Sequence, residues 1–244
     1  MSNCKNCNQH VTEKYCSHCG QQLYKKSLTV KMVFADLIQA LFSWESTLIV
    51  TLKGLLTSPG ELVKSYLSGK RKSYFAPVQF FLMFMTLYLL VMNFFGEQFF
   101  QMINTGLQLE QKDLNRTEVI QNLVRDNQNI LYFILTPIVA LFIKTFFRKL
   151  NYNYAELLVF SLFIMGVGFF LSTIIVILSL FHTKLFMLRG VIIFGYLPIA
   201  IMQFTDSNSF TGFVKSFLTI FISYICYIVI VLLLVLLYVF IFIA

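Results

Sequence analysis

Charge is scarce in this sequence: Asp, Glu, Lys and Arg make up 12% of its 244 residues, against roughly a quarter in a water-soluble domain. Such a chain cannot surround itself with a hydrated surface, so water is excluded as its main solvent. Histidine is also sparse, with His182 the only one beyond His18. No acidic pair falls deep in an apolar run, where the polar positions include Gln79, Asn93, Thr136, Ser161, Ser172, Thr173 and Ser223. That poverty argues against proton-coupled transport, which calls for a buried carboxylate or histidine. It argues equally against an enzyme, which needs catalytic side chains clustered at one membrane depth. No internal repeat or low-complexity tract is present. The opening residues MSNCKNCNQH lack the apolar core and cleavage site of a signal peptide, so the N-terminal part is expected to remain in the cytosol.

What is plentiful is apolar side chain: 58% of the residues are hydrophobic, and Phe occurs 28 times against a single Trp. A bilayer core of about 30 Å takes roughly 20 such residues per helix. Five spans are predicted, from Val78 to Phe95, Ile130 to Phe147, Leu157 to Phe181, Leu185 to Phe204 and Phe217 to Ala244. Three of them carry no charge, while Lys144 and Arg189 stand near span ends, where long stems reach the headgroups. The fourth span is weakened by Arg189, Gly190, Gly195 and Pro198, and a re-entrant or interfacial course is its alternative. Thr136-Pro137 and Gly166-Val167-Gly168 read as ordinary kink and close-packing positions.

The fold class expected is thus an all-α polytopic membrane protein of about five helices, with domains at 1–26, 27–77 and 78–244. In the middle segment Val30, Val33, Phe34, Leu37, Ile38, Leu41 and Phe42 share one helical face, which predicts an amphipathic helix on the membrane interface. Ser58-Pro59-Gly60-Glu61 then supplies an N-cap, a first-turn proline and a capping-box Glu, and Gly69 ends the short helix. A further helical piece, capped by Thr117, is expected between the first two spans.

The net charge of +8 comes largely from the first 77 residues, which hold ten Lys/Arg and four Asp/Glu. Placed before the first span, this excess is what the positive-inside rule produces, and no nucleic-acid partner is needed to explain it. Segment 96–129 holds three Lys/Arg against five Asp/Glu, so it reads as external, with the N-terminus inside and the C-terminus outside. Lys70, Arg71 and Lys72 lie immediately before the first span. They read as orientation charges or as ligands for lipid headgroups, acting as point charges in either role.

Four of the five cysteines fall in the first 19 residues, as Cys4-Lys5-Asn6-Cys7 and Cys16-Ser17-His18-Cys19. Two C-x-x-C knuckles eight residues apart bring four thiolates around one tetrahedral ion, a closed shell that suits structural zinc. Gly20 fits the tight turn after the second knuckle, and Cys226 reads as a small packing residue.

By the runs CKNC, CSHCGQ and PGELVKSYLSGKRKSYFAP, the first 95 residues or so resemble an uncharacterised group of bacterial inner-membrane proteins with an N-terminal zinc ribbon. The resemblance implies zinc on Cys4, Cys7, Cys16 and Cys19, and a bacterial membrane. It implies no activity. Members typically have Gly after the first knuckle where this chain has Asn8, a residue that tolerates the same left-handed turn. The expectation for function is a membrane accessory or scaffold protein whose ribbon engages a protein partner, the alternative being a channel, transporter or lipid-handling protein.

Overall fold

The computed structural model describes residues 2–11, 15–21, 47–106 and 128–242. The helices expected at 30–42 and after Thr117 lie outside the described residues.

Two short strands, β1 (Ser2–Asn3) and β2 (His10–Val11), pair antiparallel across the first knuckle. Among the described residues the remaining regular structure is helical: α1 (Thr47–Thr57), α2 (Pro59–Leu67), α3 (Pro77–Gly106), α4 (Gln128–Phe146) and α5 (Tyr154–Ser179). A composite helical track then runs through a 3-10 stretch (Thr183–Leu188), one α turn (Arg189–Val191) and a π turn (Ile192–Tyr196) into α6 (Leu197–Phe204), and α7 (Phe210–Phe242) closes the chain.

Among the described residues, four stretches are long and apolar enough to cross a membrane: Pro77–Phe95, Tyr154–Ser179, Leu185–Phe204 and Phe210–Leu237. They fall on four of the five expected spans. The segment expected from Ile130 to Phe147 forms α4, whose described apolar part, Leu131–Phe146, is shorter.

Lipid tails are as apolar as the side chains, so these helices hold together by close packing rather than by expulsion of water. Gly166 shows how: a Cβ there would lie 2.6 Å from the Phe80 ring and 3.4 Å from the Phe81 Cα, so only glycine lets α3 seat against α5. Around that contact Phe80 meets Phe163, and Phe81 meets Phe169, with ring centroids 5.8 and 5.7 Å apart.

Helix starts follow local chemistry. At α5 the Asn153 side chain accepts from the Glu156 N–H (2.9 Å), and the Glu156 carboxylate accepts from the Asn153 N–H (2.8 Å), a complete capping box. At α2 the expected box does not form. Ser58 is the N-cap and Pro59 opens the helix, but the Ser58 side chain makes no capping bond. Its N–H is already donated to the Gly54 carbonyl at the end of α1, so Glu61 has no donor to reach. Gly69 does follow the end of α2, at φ +118°.

The ends of five helices meet on one face. Tyr152 stacks on Phe204 with centroids 4.8 Å apart, Lys215 Nζ lies 4.8 Å from the Phe147 ring centre, and Lys64 pairs with Asp206 at 2.6 Å. These contacts gather the last turn of α2, the end of α4, the start of α5, the end of α6 and the start of α7. The same face holds Arg148 and Lys149, and the loop of Lys70, Arg71 and Lys72 leads into α3 from it.

Candidate metal centre

Each knuckle is the same turn. Asn8 N–H donates to the Cys4 carbonyl and Gly20 N–H to the Cys16 carbonyl, both at 2.8 Å; Cys4 N–H reaches the Gln9 carbonyl and Cys16 N–H the Gln21 carbonyl, also at 2.8 Å. The turn needs a left-handed residue one place after its second cysteine, and Asn8 (φ +60°) and Gly20 (φ +69°) supply it.

The two turns bring the four sulfurs within 4.8 Å of one another. Cys4 Sγ and Cys19 Sγ are 3.6 Å apart, and Cys7 Sγ and Cys16 Sγ 3.5 Å. A tetrahedral ion with bonds of about 2.3 Å to sulfur needs edges of about 3.8 Å, so the cage fits a metal ion with little adjustment. Cys4 and Cys16 are buried with Val11, while Cys7 and Cys19 are half-buried.

Electrostatics point the same way. Backbone N–H groups of Cys19 and His18 aim at Cys16 and outweigh burial, holding its thiol down at about 6. At Cys7 the Gln9 N–H lowers the pKa, yet burial and the three neighbouring sulfurs together push it up to about 12. Four thiolates at this spacing repel, and a cation at their centre relieves that repulsion where protons otherwise must.

The cysteine unit is fixed to the helices. The Gln21 amide, 4% exposed, donates from Nε2 to the Gly69 carbonyl (2.7 Å) and accepts at Oε1 from the Lys72 N–H (2.7 Å). Ser73 donates to the Asn6 side chain. Gly69 is further confined by Lys5, whose Cδ would lie 2.9 Å from a Cβ there.

The basic run is therefore part of a dock. Lys70 and Lys72 project as exposed side chains, whereas Arg71 is half-buried with its guanidinium 6.0 Å from the Tyr66 ring centre. Sequence reasoning treats the three as equivalent point charges; the geometry singles out Arg71. The dock continues beneath α2. A Cβ on Gly60 would stand 2.5 Å from the Gln203 carbonyl carbon and 2.7 Å from the Phe204 nitrogen, so backbone meets backbone where α2 crosses α6.

Residues 45–89 match a family of proteins of unknown function (DUF3667). The matching stretch contains α1 from its first residue, α2, the basic dock and the first half of the α3 span, and it stops short of the cysteine unit. No curated protein and no solved structure matches the chain.

Beside the dock lies an open cleft of about 760 Å³, lined by Phe146, Phe147, Leu150, Thr145, Thr205 and Ser207 together with Arg148, Lys149 and Lys215. No motif announces it, because its cations come from segments some sixty residues apart.

Proposed function

We propose that this chain is an accessory or scaffold protein of a bacterial inner membrane, with a structural zinc ion on Cys4, Cys7, Cys16 and Cys19. Its five-span bundle carries the zinc unit on the cytoplasmic side and offers it to a protein partner. The observation that carries this reading is the clamp of Gln21 on Gly69 and Lys72: a unit locked to the bundle on one side is a platform, and not a tethered probe. Tyr15, half exposed, and the exposed His10 and His18 supply the aromatic and polar anchors that interfaces use. The fifth span is assigned to α4; the position of its end on the same face as the starts of α5 and α7 supports a return across the bundle. Alternate crossing then leaves the C-terminus on the periplasmic side.

Purification from native membranes in mild detergent tests the proposal. A stoichiometric protein partner, lost in Tyr15→Ala while the zinc stays bound, supports it; a solitary chain carrying only lipid contradicts it. The second reading, a lipid-handling protein, is favoured by the basic cleft of Arg148, Lys149 and Lys215, which joins cations to an apolar floor at the level of inner-leaflet headgroups.

A further inference from the structure

Arg189 stands at the opposite end of the bundle from the basic face, and its side chain turns inward. The guanidinium carbon lies 5.3 Å from the Tyr88 ring centre and 5.0 Å from that of Phe186. Its Nε is buried with no hydrogen-bond partner, and it has no ion-pair partner among the described residues. The Tyr88 hydroxyl, on a residue only 1% exposed, is also buried without a partner. Tyr132 packs on Tyr88 with ring centroids 5.9 Å apart, and Phe169 packs on both rings. The backbone departs from α geometry here, as a 3-10 stretch ends at Leu188 and a π turn begins at Ile192. Single π turns inside helices recur at functional sites.

Aromatic faces compensate part of a guanidinium's charge but satisfy none of its five N–H donors. A buried guanidinium Nε and a buried hydroxyl, both lacking acceptors, make a costly arrangement unless an acceptor arrives from outside. Arg189 is half-buried, so its base is sealed while its tip stays open to a ligand. The rings cover its faces and leave the in-plane donor fork, which matches two oxygens of one anion. Tyr88 is eleven residues from the Pro77 start of α3, and Tyr132 fourteen from the Phe146 end of α4. At 1.5 Å per residue both lie about 16 to 21 Å from the basic face, past the middle of a core about 30 Å thick. Arg189 itself is four residues from the Leu185 start of its span, about 6 Å, so the nearest abundant anion is the phosphate of a headgroup in the far leaflet.

We propose that Arg189 and the Tyr88 hydroxyl form a phosphate-recognition site in the half of the bundle remote from the cysteine unit. Arg189 supplies the charged fork and Tyr88 a second donor, while Phe186 and Tyr132 wall the site. The site does not depend on the scaffold reading, since it shares no residue with the dock or the basic cleft.

Native mass spectrometry of the full chain in detergent tests it, with phosphatidylglycerol, phosphatidylethanolamine and glycerol phosphate as separate probes. Arg189→Gln is expected to remove one bound phospholipid per chain, weakening that site about tenfold or more. Tyr88→Phe is the sharper variant. If the hydroxyl is only an unsatisfied buried group, its removal leaves stability equal or higher and lipid binding unchanged; if it binds phosphate, affinity falls severalfold in a chain that folds normally. Arg189→Lys keeps the charge without the fork and is expected to bind less well than the wild type. Binding of glycerol phosphate with the same dependence on both residues assigns the site to a free phosphate ester, and dependence seen with phospholipid alone assigns it to a headgroup. Unchanged binding of all three probes by Tyr88→Phe and Arg189→Lys overturns the proposal.

Discussion

The Gln21 side chain holds the Gly69 carbonyl and the Lys72 N–H at once, each at 2.7 Å, across about fifty residues of chain. One amide thereby joins the second knuckle to the loop that enters the first span, using its donor and its acceptor together. Gln21 is itself placed by the knuckle, because its carbonyl receives the Cys16 N–H.

Replacing Gln21 by Ala removes two part-buried hydrogen bonds, to the Gly69 carbonyl and the Lys72 N–H, a loss of about 1 to 2 kcal/mol at the dock. The expected result is faster amide hydrogen exchange at Lys72 with the bound metal retained. Unchanged protection at Lys72 contradicts the clamp.

Gly60→Ala forces a methyl group against the backbone of Gln203 and Phe204, which cannot retreat as a flexible side chain can. A loss of about 1 to 3 kcal/mol is expected, read as a lower midpoint of thermal unfolding in detergent. Gly168→Ala is the control: its nearest neighbour, a Leu197 methyl, lies at 4.0 Å, so a near-neutral effect is expected.

Much of this plan was legible in the sequence, and the residues show why. Apolar length is a property of the chain itself, so the stretches at Leu185–Phe204 and Tyr154–Ser179 can be read within a few residues. The four metal-ligand candidates are equally local, as is the left-handed turn at Asn8. Ser58 and Glu61 misled because a capping box also depends on the preceding helix, and α1 runs straight into the donor that the box requires. Asn153 and Glu156 carry the same signature and form the box; that motif preceded an apolar run and was readable. The clamp of Gln21 and the inward turn of Arg189 are tertiary facts. Nothing in a Gln after a knuckle, or an Arg near a span end, tells which distant carbonyl or ring it meets.

Reporter fusions test the crossing number. A fusion after residue 96 and one at the C-terminus are both expected to read as periplasmic, and one between Phe147 and Tyr152 as cytoplasmic. A cytoplasmic C-terminus contradicts the five-span arrangement.

Metal retention depends on pH with a definite sign. The Cys16 thiol lies at about 6, down from its ordinary 9.0, so its thiolate contribution is complete above about 9 and is lost as pH falls through 6. Cys7, raised to about 12, carries a proton at neutral pH that an incoming metal displaces. Metal binding near pH 7 should therefore release protons, and metal affinity should weaken as pH falls, because protons compete for the same sulfurs. Binding with no proton release, or an affinity that does not weaken as pH falls, contradicts the thiolate cage.

Elemental analysis of the detergent-purified full chain tests the central claim most directly. One equivalent of zinc per chain is predicted, falling sharply in Cys16→Ser. Zinc well below one equivalent, or iron in its place, contradicts the account.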